Sequence, residues 1–279
     1  MRWINKRNHK NRKQGHTIVG KFLQRGWDEC SGRYINSSYS DLQGEGKMTH
    51  LLLREQGYLC CYCMRAISYK GHTTIEHVLP RRTKKDDFNT ITHYMNSARF
   101  MKHYVKWKEE PPKRKVKVPP YPHYCAYENM VVSCDGSVYD LENPDYRYPS
   151  KLHNCCNNIR RSNEIIPMFY LKNINKLLVY ERDGDLTYNE KYRATIKAVN
   201  LEHNTLKLMR RAWAKVCRLY TVDDVKRAMT DLTFRDEIID DSLLNAFDSN
   251  ILQRSNFWNL FYEYRWFYTY FHKKQRISN

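Results

Sequence analysis

The spacing of apolar and polar positions changes several times along this chain, and each change predicts an element. In "KMTHLLLREQ", Lys47 to Gln56, the apolar residues gather on one helical face, and Gly57 follows as a stop signal. "TTIEHVLP" is β-branched and ends in proline, which predicts a strand over Thr73 to Val78. "ENMVVSC", Glu128 to Cys134, predicts a second short strand, and "CCNNIRRSNEII" from Cys155 opens a helix. "KLLVYERDGDLTY" reads as a hairpin with Asp183-Gly184 at its turn.

Beyond Asn189 the pattern is helical to the end. Ile196, Val199, Leu206, Met209, Trp213, Val216 and Leu219 form a stripe, with an interruption between Asn200 and Asn204. The last helix, "NFWNLFYEYRWFYTYFHKK", is heavily aromatic. Core packing is its default reading, and a partner-docking face is the sharper one.

The stretches between these elements divide the chain. Residues 1–43 are polar and basic and predict an arm that lies on phosphates or a solvated tail. Residues 44–175 hold the strands and form one domain, with a basic, proline-rich insert at 83–124 and a loop over Asp135 to Leu152. Residues 176–279 are the hairpin and a mainly α-helical region, the candidate docking surface. The fold class is α+β.

Composition narrows the partners. The 279 residues carry 41% hydrophobic and 14% aromatic side chains, which excludes a disordered chain, and a net charge of +18 favours a polyanion. Nucleic acid is the usual polyanion. A membrane surface ranks below it, because the charge is spread along the chain rather than gathered on one amphipathic helix. There is no apolar run of about 18 residues to span a bilayer, and the basic start lacks a secretory apolar stretch. A cytoplasmic location is expected.

In a reducing compartment the nine cysteines are not a disulfide framework. Cys60 and Cys63 form a C-x-x-C knuckle, half of a tetrahedral zinc site with sulfurs about 2.3 Å from the metal. Cys134 and Cys156 complete it best, with Cys155 as the alternate to Cys156 and Cys61 as a further substitute. Such a zinc is structural, since four thiolates leave no open coordination position. Cys30, Cys125 and Cys217 read as ordinary buried thiols. A redox role for Cys60 and Cys63 is disfavoured, because no βαβ pattern surrounds them.

If zinc joins these clusters, it gathers a hydrolytic kit around them. Glu76 and the amide oxygen of Asn157 are hard ligands suited to Mg²⁺ or Mn²⁺. His77, neutral near pH 7, can take a proton from water, and Asn129 can hydrogen-bond its ring. Arg81, Arg82, Arg160 and Arg161 flank the kit as phosphate contacts.

The order C-x-x-C, then "EHVLP", then Asn129 shortly before Cys134, then "CNNIRR" resembles the HNH endonucleases. The resemblance implies a ββα-metal core buttressed by a four-cysteine zinc knuckle. It makes His77 the general base, Asn129 the orienting middle residue, and Asn157 with Glu76 the ligands of a catalytic metal. Three features depart from the pattern: Glu76 stands at a position that is often Asp, Arg160 and Arg161 replace a lysine, and a long segment separates Cys134 from Cys155.

"LLLREQGYLCCYCMRAI", "YENMVVSCDG" and "CCNNIRR" further resemble the HNH subunits of Septu anti-phage systems, the PtuB family, some of which accompany retrons. That likeness implies an antiviral defence effector that cleaves DNA, or RNA such as transfer RNA, under an ABC-type ATPase partner of the PtuA kind. A retron reverse transcriptase with its nucleic acid is a further implied partner. The alternative is a zinc-stabilised nucleic-acid-binding or adaptor module without catalysis.

Overall fold

In this computed structural model, residues 1–28, 33–34, 47–69, 73–80, 104–105, 121–143, 145–149, 153–161, 163–228, 231, 233–234, 237 and 254–278 are described. They form a mixed α+β protein with small two-stranded sheets. Two compact units divide the chain. The first is Met1–Cys61, Ile67–Ser133 and Ser162–Ile174, and the second is Tyr62–Ala66, Cys134–Arg161 and Asn175–Asn279. Among the described residues, no helix is long and apolar enough to cross a membrane.

Up to Gly26, the amino terminus is not a free arm. Helix α1, His9–Gly26, packs on α2, Lys47–Gln56, and Met1, Ile4, Ile18, Val19, Phe22 and Leu23 are buried. The apolar residues of α1 recur at helical spacing but are diluted by Lys, Arg and Gln, so composition hid them. Ile4 N–H donates to the Phe169 carbonyl at 2.7 Å. Lys6 is buried with its Nζ 2.5 Å from Glu55 and 4.2 Å from the Tyr127 ring centroid, and the Tyr127 hydroxyl donates to the other Glu55 oxygen. Burial pulls the Lys6 pKa down, against the opposing pull of Glu55.

Helix α2 matches its expected bounds and buries Met48, Leu51, Leu52 and Leu53. It ends where Gly57 turns to φ +63°, with Tyr58 N–H returning to the Leu53 carbonyl at 2.8 Å. Strands β1, Thr73–His77, and β2, Met130–Cys134, pair with each other, and β2 is buried throughout. Gln56 ties α2 to β2. Its carboxamide accepts from Val132 N–H and donates to the Val132 carbonyl, both at 2.8 Å, and donates to the Leu59 carbonyl at 3.0 Å. One side chain thus satisfies both main-chain groups of a buried strand residue.

The second unit is built on helix α4, Asn204–Leu219, and the carboxy-terminal helices α5, Arg254–Glu263, and α6, Trp266–Ser278. Between β2 and α4 come the single-turn α3, Asn157–Arg160, and the hairpin β3, Leu178–Tyr180, with β4, Leu186–Tyr188. The hairpin turns at Asp183-Gly184 as expected. Trp213 stacks on Phe261 at 4.2 Å between centroids and donates to the Phe261 carbonyl at 2.9 Å. Phe257, Phe261, Tyr264, Phe267 and Phe271 are buried, so these aromatic rings are core and not an exposed docking face.

Gln56→Leu keeps the volume but leaves the Val132 and Leu59 groups without their side-chain partner. It should destabilise the protein by about 2–4 kcal/mol, read as a lower midpoint in thermal or urea unfolding.

Candidate metal centre and candidate active site

The C-x-x-C turn opens after β-bridged Leu59, and Cys61 N–H donates to the Val132 carbonyl at 3.1 Å. The sulfurs of Cys60, Cys63, Cys134 and Cys156 all lie within 4.8 Å of one another, and all four residues are buried. Four thiolates at about 2.3 Å from a tetrahedral zinc stand about 3.8 Å apart. Cys63 and Cys134 Sγ are 3.6 Å apart. Donor type, burial and spacing therefore fit a metal ion such as zinc, held structurally with no open position.

The group of four includes Cys156, with Cys155 directly beside it. Cys156 takes φ +59°, its N–H donates to the Val199 carbonyl at 2.9 Å, and α3 begins at the next residue. Cys155 Sγ lies 3.4 Å from Cys156 Sγ and 3.8 Å from His153 Nδ1. Gly136, at φ +76°, packs so closely on the Cys155 carbonyl that any Cβ there would collide with it. No Sγ pair in the cluster is at disulfide distance.

Two residues that sequence reasoning left without a role stand behind the sulfurs. His153 Nδ1 is 3.1 Å from the Gly136 carbonyl, which only accepts, so Nδ1 carries a proton. Nε2 is 2.6 Å from the Tyr264 hydroxyl, which in turn is 3.6 Å from Cys63 Sγ. With a neutral ring, Nε2 accepts a hydrogen bond from the tyrosine hydroxyl. With an imidazolium, Tyr264 is released to donate to the Cys63 sulfur. Burial lowers the His153 pKa, but the Cys155 charge and hydrogen bond outweigh it and the net direction is upward. Burial and the surrounding cysteine charges push the Tyr264 phenol well up. His153 stands two residues before Cys155 and was legible as its neighbour, whereas Tyr264 was one aromatic among many.

The proposed catalytic residues divide between the units. In the first, His77 ends β1, half-buried, and its Nε2 lies 2.9 Å from the Tyr124 carbonyl. Asn129 is fully buried behind this strand end. Its carboxamide accepts from Leu79 N–H at 2.7 Å and donates to the Leu79 carbonyl at 3.0 Å, while its own carbonyl accepts from Val78 N–H at 2.9 Å. Asn129 thus fixes the backbone just past His77, and Tyr124 orients the ring. Glu76 is 5% exposed and, by strand alternation, points to the face opposite His77.

In the second unit Asn157 opens α3, half-buried. Arg160 is 1% exposed and donates to the Tyr62 hydroxyl at 2.9 Å, so its guanidinium serves the interior and not a phosphate. Arg161 is exposed. Arg81 and Arg82 lie outside the described residues, as do Cys30 and most of the 83–124 insert. Cys125 and Cys217 are buried, as expected.

Comparison of the chain with protein-family models, with curated proteins and with solved structures finds no match.

Metal analysis of purified variants tests the ligand set. Cys156→Ser and Cys63→Ser should lose zinc and unfold at a lower temperature, while Cys155→Ser should keep close to one zinc per chain. Stripping the metal with a strong chelator should lower the melting temperature of the wild type to near that of Cys63→Ser.

Proposed function

We propose that this protein is a metal-dependent HNH-type endonuclease that hydrolyses phosphodiester bonds in DNA or RNA. The observation that carries this reading is the setting of His77. A half-buried imidazole ends β1 with Nε2 on a backbone carbonyl, next to a backbone segment pinned by Asn129 and in a chain whose four buried thiols stand at metal-ligand spacing. A carbonyl only accepts, so Nε2 carries the proton and the lone pair of the neutral ring is on Nδ1.

Nδ1 then takes a proton from a water molecule as the water oxygen bonds to phosphorus. The phosphorus–O3′ bond breaks, and the departing oxygen is protonated from solvent, leaving 5′-phosphate and 3′-hydroxyl ends. Tyr124 and Asn129 contribute orientation: a ring held in one tautomer and a backbone held in one place need no reorganisation at the moment of transfer. The motif assigns Glu76 and Asn157 to a Mg²⁺ or Mn²⁺ ion, which when bound would stabilise charge on the scissile phosphate. The spread positive charge supplies backbone affinity without sequence reading, so binding weakens steeply with salt.

In this reading the chain is the effector of an anti-phage defence system, controlled by an ABC-type ATPase subunit and in some settings accompanying a retron. That context rests on the resemblance to the PtuB family. One observation favours a second reading, a zinc-stabilised nucleic-acid-binding module: Glu76 is buried, where a carboxylate meets no solvent-borne ion without a local opening.

Cleavage of labelled plasmid DNA and total RNA in Mg²⁺ or Mn²⁺, with the ATPase partner co-expressed, separates the two readings. His77→Ala should reduce cleavage by at least about a hundredfold, the usual scale of a general base, and leave zinc content and nucleic-acid affinity unchanged. No cleavage by the wild type under these conditions would leave the binding module as the reading.

A further inference from the structure

We infer that the second unit carries a nucleic-acid-strand site of its own, built on α4 and the β3–β4 hairpin and separate from the HNH motif. A cavity of about 370 Å³ is lined by Arg182, Arg211, Ala214, Lys215, Arg218 and Leu219. Arg211, Lys215 and Arg218 follow one another at helical spacing on α4, so their side chains share a face over about 10 Å of helix axis. Arg182 joins them from the hairpin. All four cations are exposed.

The nearby carboxylates are spoken for. Asp185 pairs with Lys207 at 2.6 Å, Glu181 with Lys274 at 3.2 Å, and Asp183 accepts from Asp185 N–H at 2.9 Å within the turn. Among the described residues, Arg182, Arg211 and Arg218 have no ion pair. The three guanidinium charges around one concavity repel one another, and that repulsion is relieved by an anion. Guanidinium groups offer paired N–H donors that match phosphate oxygens.

The floor decides what kind of anion. Leu219, expected at the end of the buried stripe of α4, is 57% exposed and lines this cavity with Ala214. An aliphatic floor beneath a ring of cations suits a base resting on carbon with its flanking phosphates on arginine. A strand delivers successive phosphates along the Arg211–Arg218 face, which a carboxylate-bearing peptide does with poorer geometry. The occupant is therefore the sugar–phosphate backbone of a single strand, with one base over Ala214 and Leu219.

The site deepens the nucleic-acid reading above and rests on it, but its test measures binding and not cleavage. Fluorescence anisotropy of a labelled single-stranded oligonucleotide, in Mg²⁺-free buffer with zinc-loaded full-length protein, compares the wild type with two triple variants. Arg182→Ala/Arg211→Ala/Arg218→Ala should raise Kd at least tenfold and flatten the log–log salt dependence by about 2, near 0.7 for each lost phosphate contact. Lys172→Ala/Lys176→Ala/Lys197→Ala removes the same charge from exposed positions elsewhere and should change Kd by far less.

Because all six positions are exposed, both variants should melt with the wild type. Equal losses in the two triples, an unchanged Kd in the first, or no binding by the wild type would each overturn the site. Displacement of the strand by ATP or polyglutamate at matching phosphate or carboxylate concentration would overturn its assignment to a strand. Strand binding through these arginines, together with no cleavage in Mg²⁺ or Mn²⁺ with the ATPase partner co-expressed, would sink the nuclease reading and leave this site standing.

Discussion

Four buried thiols at metal-ligand spacing are the constraint on which the geometry around the C-x-x-C turn depends. A thiolate in the protein interior is costly because burial disfavours its charge, and four of them within a few ångströms also repel one another. A divalent cation offsets both terms, which is why such a cluster is a folding element and not a reactive one. The surroundings are arranged for that charge. Gly136 lets the Cys155 carbonyl approach, and the His153–Tyr264 pair reaches Cys63. Arg65 is buried nearby, with Glu263 at 2.6 Å and the Ser137 carbonyl as partners.

The neighbourhood of His77 works by backbone positioning more than by side-chain contact. Asn129 spends its carboxamide on both main-chain groups of Leu79, and Gln56 does the same for Val132. Each amide replaces a missing stretch of sheet ladder next to a two-stranded sheet, which by itself has few hydrogen bonds to hold it. The ring of His77 is then oriented by Tyr124 O, a group without sequence identity, since any residue at that position would supply a carbonyl.

The charge is likewise divided between structure and surface. Lys6, Arg65, Arg160 and Arg210 are buried, and each is held by an internal acceptor; Arg210 donates to the Gly184 and Leu201 carbonyls. Burying a cation is costly unless it is hydrogen-bonded, and these are. The net charge therefore overstates what the surface offers to a polyanion, and the exposed cations without carboxylate neighbours matter more than the total.

Sequence alone determined the local elements and the cysteines from which a metal site could be drawn. Helix Lys47–Gln56, the strands ending at His77 and Cys134, the Asp183-Gly184 hairpin and the cysteine set all follow from short-range period, turn chemistry and donor type. These are properties a local window contains. Tertiary structure decided everything that depends on a distant partner. It placed Cys156 in the group of four thiols, turned Arg160 inward to Tyr62, set the Asn129 carboxamide on the Leu79 backbone, and packed the basic amino terminus against Phe169. It also left Leu219 outside the stripe its spacing had placed it in, because a helix face is buried only where another element covers it. Pattern says which atoms are able to interact; which of them meet is set by the path of the chain between them.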